Sequence, residues 1–233
     1  MKKNIKKQQD NYFISNCIYA ATEYCVYVAL GKPMGRITFI YGPSACGKSS
    51  LLSCVQEIRI DNSGEDSTMK KTFKEMSDDY ILSIKKREGI TAKAYPNVGL
   101  LLIDDIDCCI GKPALQASFA KLFKDLAGNN TDIIITSVES PDKHEVLIDE
   151  LICCSSFKVL EMHQPDIELR KDVLKREMRD NSVHISSGVA DYILHNNNIS
   201  LAAICGCVIK IGLMNALENG TLDDTAIIEA LKI

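Results

Sequence analysis

The sequence has no tryptophan, no Cys-x-x-Cys pair and no apolar run near the ~18–20 residues that a membrane-spanning helix needs. Its lysine-bearing N-terminus has no apolar stretch or small-residue cleavage site behind it, so no secretory signal peptide is predicted. Positive charge is also not in excess. The formal net charge is −4. This argues against strong binding of nucleic acid regardless of its sequence, but it is compatible with a local basic patch. We expect a cytoplasmic protein without a membrane anchor.

Cysteine is abundant, with 10 residues, and this invites a metal or disulfide interpretation. The cysteines are isolated, adjacent in two pairs, or spaced as one Cys-x-Cys, and none of the 4 histidines forms a zinc-ligand spacing with them. The pattern therefore favours small buried thiols in a reducing compartment.

Apolar runs that end in glycine or polar residues alternate with segments of helical period over the first two thirds of the 233 residues. The runs at 37–42, 98–107 and 132–137 predict buried strands, whereas 11–30, 49–60, 71–87 and 114–128 predict helices and 61–71 a loop. After Pro165 only helical patterns follow. We predict an α/β fold with a parallel sheet and a smaller all-helical domain. The predicted parts are a flexible terminus at 1–10, a nucleotide-binding domain at 11–162 and a helical domain at 163–233.

The segment between the first predicted strand and its helix fits the phosphate-binding pattern G-x-x-x-x-G-K-[ST]. Lys48 is expected to neutralise β- and γ-phosphate charge, and the Ser49 hydroxyl to ligate Mg²⁺. A chance match in a glycine turn is the alternative, but the strand and helix on either side argue against it. The predicted contacts to ATP or ADP are Gly42, Pro43, Ser44, Ala45, Cys46, Gly47, Lys48, Ser49 and Ser50.

Polar residues also follow the second and third predicted strands. Asp104 is predicted to hold Mg²⁺ and Asp105 to polarise an attacking water. A polar residue at the end of the third strand is a candidate γ-phosphate sensor, with Thr136 chosen and Ser137 beside it as the alternative. Each has a structural alternative. Aspartates at the end of a strand are often simply solvent-exposed or cap the following helix, and Thr-Ser is an ordinary strand-to-loop turn. Asp107 is assigned to the following loop or cap.

Taken together, these segments resemble the DnaA family of AAA+ proteins, the bacterial replication initiators and their Hda-type regulators. The matching segments, in the family's order, are NYFISNCIYAA (11–21), ITFIYGPSACGKSSLL (37–52), YPNVGLLLIDDID (95–107), IIITSVESP (133–141), QPDIELRKDVLKRE (164–177) and the closing TLDDTAIIEALKI. The resemblance implies an AAA+ P-loop NTPase whose parallel sheet is sandwiched by helices, with a helical lid. It also implies nucleotide bound near Phe13 and the segment 39–42.

The resemblance further implies partners. Residues 66–95 match the family's helical insertion, which in initiators helps line a path for single-stranded DNA; a solvated helix face is the alternative. Its basic residues are Lys70, Lys71, Lys74, Lys85, Lys86 and Arg87. A replication initiator DnaA or another AAA+ subunit is an expected protein partner. The sliding clamp is a further candidate, although the first residues carry no clear clamp-binding motif.

Several family positions are not matched. No arginine occurs between Ser137 and Leu169, where the family places its arginine finger, and Lys158 lacks the bidentate fork. Ser200 stands where a lid sensor arginine is expected, just after Asn198-Ile199, and Val138 replaces an acidic residue. Arg170 matches a lid arginine and is given a structural role. We therefore expect nucleotide binding with slow hydrolysis. The printed sequence shows no counterpart of the helix-turn-helix domain that reads duplex DNA boxes, either because the protein is a short regulator or because it is a piece of a longer one.

Three functions follow as hypotheses. The first is a nucleotide-dependent interaction module in bacterial replication initiation or its regulation, with weak ATPase activity. The second is an active ATPase of the helicase-loader (DnaC-like) or transposition-helper type, which needs an arginine acting in trans. The third is a degenerate subunit that nucleotide merely stabilises. Rapid turnover would indicate the second hypothesis, and the absence of any partner the third.

Overall fold

A computed structural model describes residues 18–32, 34–64, 67–85, 91–154, 156–195, 200–217 and 223–231. The chain divides into two compact units. The first contains the sheet and ends at His163; the second contains the helices from Gln164 onward and, from the earlier described residues, Ser44–Cys46. The predicted frayed terminus at 1–10 lies outside the described residues, as do Phe13, Lys86, Arg87 and Asn198-Ile199.

The first unit is built on a parallel sheet in the order β2-β3-β4-β1-β5. The strands are β1 (Ile37–Tyr41), β2 (Thr68–Thr72), β3 (Leu100–Asp104), β4 (Asp132–Ser137) and β5 (Phe157–Glu161). The helices are α1 (Tyr19–Ala29), α2 (Lys48–Ser63), α3 (Phe73–Lys85), α4 (Pro113–Gly128) and α5 (Glu145–Ile152). Short 3₁₀ turns cover Ala92–Ala94, Ile106–Cys109 and Pro141–His144.

Both faces of the sheet are buried, which explains why β1, β3 and β4 are almost wholly apolar. Alternate strand residues such as Phe39, Ile103 and Ile135 form one core with α3, α4 and α5. In this core the rings of Phe73 and Phe119 are tilted against each other with centroids 4.6 Å apart. The intervening residues, for example Leu102, are buried on the other face, where α2 contacts β2, β3 and β4. The sheet is therefore sandwiched between two layers of helices.

The order of the strands determines where a ligand crevice opens. From β1 the chain crosses to β2 at one edge of the sheet, whereas from β4 it crosses over β1 to β5 at the other. Connections that leave neighbouring strands in opposite directions open a crevice outside the strands' carboxyl ends, where open α/β sheets bind ligands. The ends of β1 and β4 therefore mark the expected site.

Two strands were not predicted from the sequence. The prediction of a loop at 61–71 is wrong, because α2 continues to Ser63 and β2 covers Thr68–Thr72. Strand β5 was missed as well. Both strands lie at sheet edges and include half-buried or exposed residues such as Lys71 and Lys158, so neither has the continuous apolar run of a central strand. The predicted helical insertion at 66–95 thus begins with an edge strand and continues as α3.

From Gln164 onward, the regular elements among the described residues of the second unit are all helices. It contains α6 (Ile167–Asp180), α7 (Ser187–His195), α8 (Leu201–Leu217) and α9 (Asp224–Leu231). The side chain of Asp166 caps α6 by accepting a hydrogen bond from Leu169 N at 2.8 Å. The core of this unit includes Leu169, Val189, Ile204 and Val208.

Candidate functional site

The loop between β1 and α2 has a backbone that few residue types tolerate. Gly47, just before α2, has φ of 102°, and Ala45 has φ of 58°. Left-handed residues next to right-handed ones turn successive backbone N–H groups to one side, forming a concavity that binds anions. A Cβ atom on Gly42 would lie 2.1 Å from the carbonyl oxygen of Met162, so only glycine fits there.

Lys48 is the first residue of α2 and is only 8% exposed. Its ammonium donates hydrogen bonds to the carbonyl oxygens of Gly42 (2.6 Å) and Pro43 (2.8 Å). The side chain therefore folds back along the loop, with its charge where phosphate oxygens bind in proteins of this pattern. The N-terminus of the 16-residue α2 adds partial positive charge at the same point.

The other predicted loop contacts differ in exposure. Cys46 is fully buried. Ser44, Ala45, Ser49 and Ser50 are exposed. The Ser49 hydroxyl sits at the second position of α2, one residue after Lys48.

The ends of β3 and β4 are joined through the hydroxyl of Thr136. Thr136 is fully buried and lies one residue beyond the Ile103–Ile135 pair of the ladder. Its Oγ1 donates to Asp104 Oδ1 at 2.6 Å and accepts from Asp105 N at 3.1 Å. The structure thus brings together Asp104, Asp105 and Thr136, and it directs the Thr136 hydroxyl at Asp104.

Asp105 is exposed and adopts a left-handed backbone with φ of 59°, unusual for a residue other than glycine. Its hydrogen bond to Asp107 raises the pKa of its carboxyl group, and partial burial and the negative charges of Asp107 and Asp104 raise it further. A carboxylate with a raised pKa is a better proton acceptor near neutral pH, as a general base requires.

Asp107, which the sequence assigned to a loop or cap, is the most heavily hydrogen-bonded acid of this region. Its carboxylate accepts hydrogen bonds from Val138 N (2.7 Å), Glu139 N (3.1 Å) and Ser137 Oγ (2.7 Å). The imidazole Nε2 of His144 lies 3.3 Å from it. Burial alone would raise the pKa of Asp107, but the hydrogen bonds from His144, Val138 and Ser137 outweigh it and hold the pKa well below its usual range.

This lowered pKa gives a testable pH dependence. A carboxyl group whose pKa is lower in the folded state stabilises the fold above its unfolded pKa, and the contribution is lost as the pH falls toward the folded pKa. We expect the difference in free energy of unfolding between wild type and Asp107→Asn to be constant above about pH 5 and to shrink progressively below about pH 4. Urea unfolding at several pH values measures it.

The matched control for this experiment is Asp149→Asn, on the exposed side of α5. The free energy of unfolding of Asp149→Asn should differ little from that of wild type over the same pH range. If the difference for Asp107→Asn grows as the solution becomes more acidic, the assigned direction of the Asp107 pKa is wrong.

The assembled groups suit a nucleotide with a hard divalent cation. A lysine ammonium and backbone N–H groups match phosphate oxygens, and the hydroxyl of Ser49 and the carboxylate of Asp104 are oxygen ligands of the kind that Mg²⁺ prefers. Mg²⁺ usually takes only one or two protein ligands and keeps water and phosphate oxygens for the rest. Two protein ligands are therefore sufficient.

The structure gives the surroundings of three positions compared with the family above. Ser200 Oγ accepts a hydrogen bond from Ala203 N at 3.0 Å, so Ser200 caps the N-terminus of α8. Arg170 Nε donates to Pro165 O at 3.0 Å, in line with the structural role predicted for it. Lys158 lies in β5 opposite Thr38 of β1 and is exposed.

No helix in the described part of the chain is long and apolar enough to cross a membrane.

Comparison with known proteins identifies relatives of this arrangement. A family model described as the bacterial DnaA ATPase domain matches residues 10–159. Domain III of the Thermotoga maritima replication initiation protein DnaA has a TM-score of 0.84 and 24% sequence identity, over 96% of this chain and 94% of that one. A DnaA bound to AMPPCP and single-stranded DNA gives a TM-score of 0.75 at 24% identity, over 90% of this chain and 66% of that one.

AMPPCP-bound DnaA from Aquifex aeolicus gives a TM-score of 0.73 at 24% identity, over 90% of this chain and 65% of that one. The chain thus spans about two thirds of the length of the two nucleotide-bound proteins. Together with the parallel five-stranded sheet, these similarities confirm the predicted AAA+ fold with C-terminal helices.

Proposed function

The chain belongs to the bacterial DnaA ATPase-domain family, and from this we propose that it binds ATP or ADP with Mg²⁺ at the loop Gly42–Ser49. The observation that carries the proposal is the placement of Lys48, whose buried ammonium is held along the loop at the carboxyl end of β1. The relatives found in complex with AMPPCP support the choice of an adenine nucleotide.

The roles of the site residues follow from their positions. Lys48 and the loop N–H groups bind the phosphates, while Ser49 and Asp104 hold Mg²⁺, which supplies charge neutralisation at the β- and γ-phosphates when bound. Thr136 orients Asp104 through its 2.6 Å hydrogen bond. Asp105 orients a water molecule and accepts its proton. The helices from residue 163 onward are proposed to serve as the lid domain.

Nucleotide binding is tested directly by isothermal titration of the purified protein with ATP and with ADP, in the presence of Mg²⁺ and again with EDTA. The nucleotide that co-purifies is identified by denaturing the protein and separating the supernatant chromatographically. Micromolar affinity that weakens on removal of Mg²⁺ is expected. A protein that carries no nucleotide and binds neither ATP nor ADP at millimolar concentration contradicts the proposal.

Hydrolysis is expected to be slow. An arginine finger contributes a factor of roughly 10³–10⁵ in P-loop NTPases, and the segment between Ser137 and Leu169 contains no arginine. We predict steady-state phosphate release below about 1 s⁻¹, the lower end of the usual enzyme range. Asp105→Asn is the control that distinguishes release by this site from a contaminating phosphatase. Wild-type turnover above that value would favour the helicase-loader or transposition-helper function instead.

A site that binds nucleotide but hydrolyses ATP slowly suits a nucleotide-dependent interaction module in replication initiation or its regulation. The proposed partner is the replication initiator DnaA or another AAA+ subunit, and the sliding clamp is a further candidate. Affinity capture with ATP, with ADP and without nucleotide tests this, using the organism's own initiator and clamp. If neither the initiator nor the clamp is captured under any of the three conditions, the structural-subunit alternative is favoured.

A single-stranded DNA contact through 66–95 belongs to the same proposal, supported by the relative bound to such DNA. In the structure, some of the basic side chains of this segment already make contacts within the protein, and others are exposed and could contact DNA. Lys70 donates to Ser53 Oγ at 2.8 Å and Lys71 pairs with Asp79 at 2.6 Å, whereas Lys74, Lys85 and Lys93 are exposed. Anisotropy of a labelled oligonucleotide tests the contact. Because lysine–phosphate contacts release counterions, the affinity should fall steeply with salt.

A further inference from the structure

A buried polar cluster, which we call the His144 cluster, connects the turn after β3 to the segment after β4. Its members are His144, Asp107, Ser137 and Cys109. The imidazole of His144 is fully buried, with Nε2 3.0 Å from Ser137 Oγ and 3.3 Å from Asp107 Oδ1, and Nδ1 3.5 Å from Cys109 Sγ. Of the four, only Ser137 was considered as a site residue from the sequence, and Asp107 and Cys109 lie in the 3₁₀ turn that follows Asp105.

The hydrogen bonds of the cluster assign the tautomer of His144. Burial raises the pKa of the Cys109 thiol to about 12, so the thiol keeps its proton and can donate it to Nδ1. Nε2 then carries the imidazole proton and donates to Ser137 Oγ or Asp107 Oδ1. The ring of Phe39 packs edge-on against the imidazole at 5.5 Å, which further restricts the orientation of the ring.

The cluster restrains the backbone at two places. Asp107 accepts the N–H groups of Val138 and Glu139, so the segment leaving β4 is tied to the turn after β3. On that turn, Asp105 has the left-handed φ of 59°. A non-glycine residue in this conformation persists only when the surrounding structure holds it there. Thr136 Oγ1 fixes the N–H of Asp105 on one side, and the Asp107 anchor follows two residues later on the other.

We propose that Asp107 and His144 are positioning residues, which hold the turn 105–109 and with it the Asp105 carboxylate in its working geometry. This inference rests on the proposed function of the site. Neither residue contacts nucleotide in this scheme. His144 orients Asp107 and Ser137. Asp107 anchors the turn that carries Asp105 and also shares a hydrogen bond with the Asp105 carboxyl group.

A merely structural cluster would behave differently from a positioning one. Loss of a structural cluster lowers stability but leaves the hydrolysis rate of the folded fraction unchanged. Loss of a positioning cluster lowers the rate constant for hydrolysis and leaves ATP affinity, which depends on Lys48 and the loop, nearly unchanged. The separation of rate from affinity therefore distinguishes the two roles.

The experiment uses single-turnover hydrolysis of radiolabelled ATP with protein in excess, together with the dissociation constant for ATP. Rate constants of order 10⁻⁴ s⁻¹, typical of a P-loop NTPase without an arginine finger, are measurable in this way. We compare Asp107→Asn, His144→Phe and His144→Gln with wild type. Phenylalanine keeps the ring volume but no donor, whereas the glutamine amide can place a donor near the position of Nε2.

We expect Asp107→Asn and His144→Phe to lower the rate constant about 10- to 100-fold, the effect of a displacement of about 1 Å at a reacting group. Their dissociation constants for ATP should stay within about twofold of wild type, a difference of about 0.4 kcal/mol. His144→Gln should recover most of the lost rate. Asp142→Asn, an exposed acid on the neighbouring 3₁₀ turn, is the matched control and should leave the rate unchanged.

Thermal unfolding identifies variants that fail to fold, and the His144→Phe and His144→Gln pair still decides the question if Asp107→Asn does not fold. The inference is overturned by unchanged rates in folded variants, by equal losses of rate and affinity, or by His144→Gln being no better than His144→Phe. A wild type that binds ATP but shows no cleavage also overturns it. A wild type that binds no ATP overturns the proposed function itself, and the inference with it.

Discussion

Replacing Lys48 by alanine is expected to weaken the binding of both ATP and ADP about 100-fold or more. Hydrogen bonds between a charged donor and a phosphate oxygen contribute about 1.5–3 kcal/mol each, and about 1.4 kcal/mol corresponds to a tenfold change in affinity. Two such bonds from one ammonium therefore account for at least two orders of magnitude. The ammonium already lies within 2.8 Å of two loop carbonyl oxygens. Because it has three N–H donors, it gives up at least one of these contacts when it donates to two phosphate oxygens.

The measurement is titration calorimetry of both nucleotides with wild type and Lys48→Ala. Lys121→Ala, on the exposed face of α4, removes the same charge elsewhere in the same unit and should bind as wild type does. Similar affinities for wild type and Lys48→Ala would remove the central support for nucleotide binding at this loop. If Lys48→Ala and Lys121→Ala lose nucleotide affinity equally, the loss would instead indicate a non-specific effect of net charge.

Gly42→Ala is expected to cause the largest loss of stability among single methyl additions at the site. The new Cβ would lie 2.1 Å from Met162 O and 3.0 Å from Met162 C, and both are backbone atoms. Met162 N also donates to Tyr41 O at 2.8 Å, so this backbone is held against the start of the loop and cannot simply rotate away. We expect a cost of about 3 kcal/mol, typical of severe overpacking.

Thermal or urea unfolding tests this second prediction. A loss of about 3 kcal/mol corresponds to a melting temperature lower by about 10 °C for a protein of this size. Gly128→Ala, at the end of α4, is the control. Apart from its chain neighbours and its own helix, no described atom lies within 4 Å of the added methyl, so the change should be near neutral or slightly stabilising. A melting temperature for Gly42→Ala equal to that of Gly128→Ala would refute the prediction.

The sequence predicted those parts of the fold whose physical causes are local. Strands β1, β3 and β4 are buried on both faces and therefore appear as apolar runs, and the glycine pattern of the loop reflects backbone requirements at Gly42 and Gly47. Strands β2 and β5 each have a neighbour on one side only and carry charged residues such as Lys71 and Lys158. Composition alone does not distinguish such edge strands from loops.

The His144 cluster was missed for a different reason. Its acid and its imidazole are separated by 36 intervening residues of sequence, and only the pairing of β3 with β4 brings them together. A lone histidine after a strand gives no signal by itself. The usable signal was the polar run VESPDKH following β4, because the carboxyl ends of adjacent parallel strands meet at one edge of the sheet. A third aspartate two residues after Asp105 pointed to the same edge.

Ser200 sets a condition on how activity in this chain could evolve or be engineered. Arginine at that position would supply the charge that the family resemblance predicts for a lid sensor, but it would remove the hydroxyl that caps α8, at a cost of about 1 kcal/mol. A single substitution thus exchanges helix stability for catalytic charge. A stabilising change elsewhere in the helical unit would offset the lost cap, so faster hydrolysis and helix stability are best engineered together.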